Sequence, residues 1–272
     1  MSVIESQMTE LFLIEDIYLT IFSFLPSIND ILKLSLLSSS HLKSIRKYSW
    51  QNKIFVHDDD IMQIIINNYT FKVLKLPHNI ILNSAVVNYL KHCHTLDLSN
   101  TKITDEGVKE LKHCHTLDLS YCKNITDESV KELKHCHTLY LSCCLSITDE
   151  SVKGLKNCHT LNLSGTNITD ESVKELKHCH TLDLSCTKIT DESVKELKNC
   201  HTLYLNGTKI TDESVKELKN CHTLNLSGTK ITDESVKELK NCHPKGTLYL
   251  SGTKITDESV KELKEAGCTI HI

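Results

Sequence analysis

A Cys-His dipeptide recurs along most of this chain at a nearly constant interval, and that period constrains the fold more than any other feature. Successive dipeptides are 21 or 22 residues apart. They begin at Cys93, Cys114, Cys136, Cys158, Cys179, Cys200, Cys221 and Cys242. A unit of this length cannot bury its own apolar face, so it must stack on its neighbours. The sequence therefore predicts a solenoid of stacked repeats.

Within one unit the apolar spacing changes from that of a strand to that of a helix. Leu117 and Leu119 alternate with polar residues, as in a short strand with one buried face. Further on, Val130 and Leu133 lie three apart, which is helical spacing and extends the helix to about Lys134. Either Thr126 or Asp127 is a suitable N-cap, and the acidic pair at 127–128 suits the positive end of the helix dipole.

Residues 114–127 carry the run Cys-x-x-Leu-x-Leu-x-x-Cys-x-x-Ile-Thr-Asp. This run resembles the cysteine-containing class of leucine-rich repeats, and the period lies within their usual ~20 to 29 residues. The two 22-residue units carry Cys122 and Cys144 at the second cysteine position. The other units have threonine there, at Thr101, Thr166, Thr187, Thr208, Thr229 and Thr253. We interpret Thr and Cys as alternative ways to fill the turn after the strand.

The resemblance implies an α/β leucine-rich-repeat solenoid over residues 93–272, with parallel strands on the concave face and short helices on the convex face. Residues 53–92 would form a linker and a degenerate first repeat. The pattern of Leu74 and Leu76, followed by Val86 and Tyr89, supports that degenerate repeat.

The segment 8–52 contains no repeat. Its amphipathic helical spacing is carried by Ile14, Ile17, Ile21, Phe24 and Leu25. The run 13–25, together with residues 30–38 and Trp50, resembles an F-box, a small all-α segment. The resemblance implies docking on a Skp-family adaptor of a cullin-RING ubiquitin ligase. The implied docking positions are Leu13, Ile17, Ile21, Phe22 and Leu25. The alternative is a helical cap on the solenoid that binds nothing.

An F-box followed by cysteine-class repeats is an architecture of eukaryotic cells and their large DNA viruses. By this resemblance, the chain is predicted to be the substrate-recognition subunit of an SCF-type ubiquitin ligase. It would act in the cytoplasm, or the host cytoplasm if viral, and its repeats would hold an unidentified protein substrate. The alternative function is a leucine-rich-repeat protein-interaction module without a link to ubiquitin.

One exposed strand position varies while its neighbours scarcely change. This column reads Asp97, Asp118, Tyr140, Asn162, Asp183, Tyr204, Asn225 and Tyr249. Mixed acid, amide and aromatic side chains along stacked strands suit a peptide or protein partner, so the column is the predicted substrate-binding surface. The alternative is drift at a position with no packing role.

Composition excludes several classes of partner. The 31 basic and 35 acidic residues give a formal net charge of -4, which does not favour nucleic acid or an anionic membrane surface. We expect neither a signal peptide nor a membrane-spanning helix, because acidic residues interrupt the apolar stretches. The 13 cysteines are an odd number and mostly follow the repeat, so we interpret them as reduced packing residues.

The histidines after the repeat cysteines should form a ladder with rungs ~4.8 Å apart. Adjacent strand residues face opposite ways, so each Cys should be buried and its His exposed, and we predict neither a metal site nor a cofactor. Crowded histidines would repel one another below their usual pKa of ~6.5, which suggests an effect of pH on stability. Identical Cys, His and Asp residues in each repeat lack the asymmetry of an active site, so the chain is not expected to be an enzyme.

Overall fold

The computed structural model describes residues 49–50, 54–55, 70–71, 73–76, 82–218, 220–240 and 246–272. Of the F-box-like segment 8–52, the structure describes Ser49–Trp50, which form a strand rather than a helix. All five predicted adaptor-docking positions lie outside the described residues.

The described residues contain 13 short strands. They are β1 (Ser49–Trp50), β2 (Ile54–Phe55), β3 (Thr70–Phe71), β4 (Val73–Lys75), β5 (Thr95–Asp97), β6 (Thr116–Asp118), β7 (Thr138–Tyr140), β8 (Thr160–Asn162), β9 (Thr181–Asp183), β10 (Thr202–Tyr204), β11 (Thr223–Asn225), β12 (Thr247–Tyr249) and β13 (Thr269–His271). Eleven of them form one sheet in the order β2, β4, then β5 to β13, and β1 pairs separately with β3. All pairs are parallel, as predicted for a leucine-rich-repeat solenoid.

The strands stack without any shift in register. Leu96 of β5 lies opposite Leu117 of β6, which lies opposite Leu139 of β7, and the same match continues to Ile270 in β13. Leu74 of β4 lies opposite Leu96 and continues this row of leucines, so the predicted degenerate repeat contributes a strand to the sheet. Equivalent residues of successive repeats therefore lie directly above one another.

The connections between strands contain short helices. They are α1 (Ser84–Leu90), α2 (Asp105–Lys109), α3 (Asp127–Val130), α4 (Asp149–Val152), α5 (Asp170–Val173), α6 (Asp191–Val194), α7 (Asp212–Val215), α8 (Val236–Leu239) and α9 (Asp257–Glu265). Three 3₁₀ turns adjoin them at Lys174–Leu176, Lys195–Leu197 and Asp233–Ser235. Helix α3 ends at Val130, four residues earlier than its apolar spacing predicts, although Leu133 is still fully buried. Thr126 is the N-cap, and its side chain accepts a hydrogen bond from the Glu128 N–H at 3.2 Å.

A continuous core runs between the sheet and the helices. Leu117, Leu119, Val130 and Leu133 are fully buried, and their equivalents are buried in the other described repeats. The repeat cysteines also line this core, and some of them form hydrogen bonds with the backbone. Four of their thiols, those of Cys114, Cys136, Cys158 and Cys179, donate to the carbonyl of the cysteine one repeat earlier, for example Cys114 Sγ to the Cys93 oxygen at 3.3 Å.

The turn after each strand is filled in two ways, as the sequence predicts. Thr101 Oγ1 donates to the Leu98 carbonyl of its own repeat at 2.8 Å. In the longer repeats, Cys122 Sγ donates instead to the Leu98 carbonyl of the preceding repeat at 3.2 Å, and Cys144 does the same to Leu119 at 3.1 Å. Both side chains add a hydrogen bond to a buried leucine carbonyl, which also accepts a backbone N–H, from Thr101 at Leu98 and from Cys122 at Leu119.

From Asp105 to Asp233, an aspartate at the start of the helical segment of each repeat binds the next repeat. In the middle of the solenoid, Asp170 accepts hydrogen bonds from Thr190 N at 2.8 Å, Thr190 Oγ1 at 2.6 Å and Ser193 Oγ at 2.6 Å. The equivalent aspartates that accept from the next threonine N–H are Asp105, Asp127, Asp149, Asp191, Asp212 and Asp233. Burial raises the pKa of Asp105, but hydrogen bonds from Ser129 and Thr126 outweigh it and hold that pKa below its ordinary value. The aspartates therefore join the start of each helix to the next one along the stack.

We predict that Asp170→Ala lowers the free energy of unfolding by about 1–3 kcal/mol, because it leaves the Thr190 N–H and two hydroxyl groups without their acceptor. The matched control is Glu171→Ala, one residue along on an exposed side chain, which should change stability by less than about 0.5 kcal/mol. Urea unfolding of the two variants measures the difference. Equal losses would show that the contact contributes nothing specific.

Candidate binding surface on the strand face

The predicted column lies on the outer side of the sheet, which is the concave side in this fold. Each strand shows a half-buried, buried, half-buried pattern, so the threonine and the column residue face outward while the leucine between them faces the core. The structure thus brings all eight predicted substrate-binding residues into one row. The row runs Asp97, Asp118, Tyr140, Asn162, Asp183, Tyr204, Asn225, Tyr249 in adjacent strands.

The first column residue is already neutralised. Lys75 Nζ lies 2.6 Å from Asp97 Oδ2, and Ser99 donates to the other oxygen from both N–H and Oγ. Burial raises the pKa of Asp97, but the hydrogen bonds from Lys75 and Ser99 outweigh it and leave the pKa below its ordinary value. This end of the column therefore presents an internal ion pair.

The far end of the column is aromatic. The Tyr249 ring stacks on His271 with centroids 4.5 Å apart and an interplanar angle of 12°. Burial raises the pKa of Tyr204, with smaller contributions from Tyr249 and Asp183. The Tyr204 hydroxyl is therefore neutral at neutral pH and can act as a hydrogen-bond donor to a partner.

Histidines form a second row at the start of the strands, and the predicted ladder spacing is confirmed. The stacked rings belong to His94, His115, His137, His159, His180, His201 and His222. Adjacent centroids are 4.6 to 4.9 Å apart, and the planes lie within 15° of parallel. Each Nδ1 lies 3.3 to 3.5 Å from the hydroxyl of the threonine that follows it, as at His94 and Thr95. The rings therefore present a continuous stacked edge beside the column.

The ladder should make stability sensitive to acid. Burial and the neighbouring His94 and His137 lower the pKa of His115 below its ordinary value. A lowered folded-state pKa means that the unfolded chain binds more protons, so stability is complete above the unfolded pKa of ~6.5 and falls as the pH drops below it.

We predict that the melting temperature falls between about pH 7.5 and about pH 5.5, and that His115→Gln makes this fall shallower. The matched control is His113→Gln, because His113 flanks the same cysteine on its other side and is not part of the stack. Thermal unfolding followed by circular dichroism gives the comparison. Parallel pH profiles for wild type and the His115 variant would contradict this role of the ladder.

A third row lies just beyond the strands, where the backbone is left-handed. Glycine occupies it at Gly165, Gly207, Gly228 and Gly252, with φ between 65° and 68°. Four other repeats place a side chain there, at Asn100, Tyr121, Cys143 and Cys186, with φ between 55° and 62°. Non-glycine residues in this conformation cost about 1–2 kcal/mol each, and such strain concentrates at functional positions.

Two cysteines in this row correct the sequence interpretation. Cys143 is half-buried and Cys186 is exposed, so neither is a packing residue, whereas the other ten described cysteines are buried. The sequence carries a signal for them, because they stand outside the two periodic cysteine positions. All 12 described cysteines are free thiols, in agreement with the predicted reduced state.

The described residues offer no Cys-His pair for catalysis. Cys114 is fully buried while His115 beside it is exposed, as alternation along a strand predicts. Burial raises the pKa of the Cys114 thiol to about 12, which leaves it protonated at neutral pH and a poor nucleophile. In the part of the chain that the structure describes, no three His, Cys, Asp or Glu side chains are placed to hold a metal ion.

The helices of the described ranges include none that combines the length and apolar character needed to span a bilayer. The longest, α9, has nine residues. This finding concerns those ranges alone.

A family model described as "Leucine Rich repeat" matches five segments of the chain. They are residues 91–112, 113–134, 159–177, 178–198 and 222–240. These five segments match leucine-rich repeats, and the fold is that of a leucine-rich-repeat solenoid. The matched segments begin and end near the Cys-His dipeptides, so the family period agrees with the strand-to-strand period of the sheet. The F-box resemblance of residues 8–52 stays a prediction.

Solved structures with the same fold include two bacterial proteins. An internalin (InlF) from Listeria monocytogenes has a TM-score of 0.62 and 20% identity, over 85% of this chain and 76% of that chain. An internalin C2 from the same organism has a TM-score of 0.53 and 25% identity, over 68% of this chain and 83% of that chain. No curated protein matches this chain in sequence. The internalin similarity shows the leucine-rich-repeat fold.

Proposed function

We propose that this protein is a non-enzymatic protein-binding module that contacts its partner through the strand face. One observation carries the proposal. The column changes among Asp, Tyr and Asn from strand to strand, while Thr, Leu and Leu around it stay constant in register. A continuous outward row that varies on an otherwise constant scaffold is the surface through which a repeat protein distinguishes partners.

Two further observations support binding over chemistry. The buried thiols and exposed imidazoles face apart in every described repeat, so no nucleophile meets a base. The column also carries tyrosines, which are enriched where proteins bind one another.

The proposal is tested by quantitative affinity capture with the full chain. The double variant Tyr140→Ala/Tyr204→Ala should no longer capture the proteins that the wild type retains. These substitutions remove two aromatic rings from the strand face and leave the core positions unchanged. The same proteins should be kept in Glu171→Ala/Glu192→Ala, a matched control with two exposed side chains on the helices. Retention of the same proteins by both double variants would exclude the strand face as the binding surface.

The narrower proposal is that the module serves as a substrate-recognition subunit of a cullin-RING ubiquitin ligase in the cytoplasm. It is supported by the F-box-like run of residues 13–25 and by its position before the repeats. In this role the segment 8–52 would bind a Skp-family adaptor and the column would hold the substrate. A helical N-terminal segment without an adaptor remains the alternative.

We predict that the full chain co-purifies with a Skp-family adaptor and that Ile17→Asp/Ile21→Asp abolishes the association, since two charges would enter an apolar contact. The strand-face variant Tyr140→Ala/Tyr204→Ala should keep the adaptor and serves as the control. Co-expression and size-exclusion chromatography measure the complex. Failure of the wild type to associate with any Skp adaptor would exclude the ligase role and leave the general binding role standing.

A further inference from the structure

A groove opens at the junction of β5, β6 and β7, where the column meets the left-handed row. It has a volume of about 550 Å³. Its lining residues are Ser99, Asn100, Asp118, Ser120, Tyr121 and Ser142. Asp118 is the one charged residue among them, and the others supply hydroxyl groups, an amide and an aromatic ring. The lining therefore suits a cationic group that can also stack on a ring.

No described lysine or arginine forms a salt bridge with the Asp118 carboxylate. Among the described residues its hydrogen bond comes from the Ser120 N–H, at 2.9 Å to Oδ1. Asp183 resembles it, since its oxygens accept from the neutral groups Ser185 N at 2.9 Å and Asn162 Nδ2 at 3.1 Å. Asp97 differs because Lys75 pairs with it. Two column carboxylates therefore face solvent with their charge uncompensated by the described part of the chain.

Tyr121 stands beside the first carboxylate in an unusual conformation. Its φ is 62°, and 55% of its surface is exposed, which makes it one of three exposed large hydrophobic side chains in the described ranges. Its backbone N–H donates to the Ser142 carbonyl at 2.7 Å, so the neighbouring strand holds the left-handed turn in place. A hydrogen bond with Cys143 raises the pKa of the Tyr121 phenol and keeps it neutral. The backbone of Tyr121 is thus held by the neighbouring strand, and its side chain lines the groove.

The two carboxylates have a defined separation. Asp118 and Asp183 are three strands apart, with Tyr140 and Asn162 between them. At the usual distance between strands, three steps make about 14 Å. An extended peptide covers nearly the same length in four residues, and side chains four apart leave an extended chain on the same side.

A row of exposed lysines beside the column is interrupted between Asp118 and Asp183. An exposed lysine lies five residues after most column positions, at Lys102, Lys123, Lys188, Lys209, Lys230 and Lys254. After Tyr140 and Asn162 the row is interrupted by Leu145 and Asn167. Leu145 is 68% exposed and carries no charge. Positive charge is therefore lowest between the two uncompensated aspartates.

We propose that the strand face binds an extended basic segment of a partner protein through two arginines four residues apart. One arginine fills the groove, where its guanidinium meets the Asp118 carboxylate and stacks on Tyr121, and the second meets Asp183. Arginine suits both positions because its planar group binds carboxylates with two hydrogen bonds and also stacks on aromatic rings. This inference rests on the proposed function and specifies the chemistry of its partner.

The test uses synthetic dodecapeptides of Ser and Thr with two arginines placed four apart, and the full chain at about pH 7.5, above the usual pKa of ~6.5 for a histidine side chain. Fluorescence anisotropy should show the tightest binding for this peptide. The same peptide with its arginines three apart, which directs them to opposite sides, should bind several-fold more weakly. A peptide with two glutamates should not bind. Equal affinity for the first two peptides, or any preference for glutamate, would overturn the proposal.

Variants then locate the peptide. Asp118→Asn and Asp183→Asn each remove one charge and retain an oxygen for the Ser120 or Ser185 N–H, so each should weaken binding about three- to tenfold. Glu192→Gln removes one exposed charge from the helical side and should leave the affinity unchanged. If Glu192→Gln weakened binding as much as the column variants, the attraction would be a general effect of charge and the site would be wrong.

The variant Tyr121→Gly distinguishes an effect on peptide affinity from an effect on the stability of the fold. Glycine is the residue of the left-handed position in four other described repeats, so this variant should melt no lower than the wild type. The peptide should nevertheless bind several-fold more weakly, because the guanidinium loses its ring. Unchanged affinity would exclude the groove as the arginine site. If no peptide bound while the strand-face variants still lost captured proteins, the basic chemistry would be wrong and the proposed function would remain.

Discussion

The structure depends on the contact between each helix aspartate and the following repeat. A helix of four residues, such as α5, has no stability of its own in water. Its start is held because Asp149 of the preceding repeat accepts hydrogen bonds from the N–H and hydroxyl of Thr169, the residue that caps it. The capped helix then places Asp170 to do the same for the next repeat. These contacts connect successive repeats from Asp105 to Thr256.

The sheet turns this regular stacking into rows of side chains with separate tasks. Leucines and cysteines face the core, where the thiols also satisfy backbone carbonyls, for example between Cys136 and Cys114 at 3.2 Å. Histidines stack at the start of the strands, and the column is formed by the last residue of each strand. The left-handed row borders the strand face, and its residues also differ between repeats. Because the rows are independent, a change in one leaves the packing of the others intact.

Most of the fold follows from periodicity in the sequence. The alternation around Leu117 and Leu119 predicts which strand residues are buried, and the constant interval predicts the spacing of the histidines. The aspartate contacts were not predicted, because Asp127 and Thr148 are 21 residues apart and the local pattern suggests only an interaction with the helix dipole. The left-handed position of Tyr121 was not predicted either, since a bulky residue gives no signal for a conformation that favours glycine. The groove is lined by Tyr121, and so only its Asp118 could be inferred from the sequence.

The unshifted register has a consequence for how such a protein changes over generations. Gain or loss of one whole repeat leaves every core contact of the remaining repeats as it is, since each repeat contacts only its neighbours. It nevertheless moves the side chains on either side of the event by one strand spacing, about 4.8 Å. The sheet is thus a molecular ruler. Selection can adjust the length of ligand it measures through the number of repeats, without redesigning any of them.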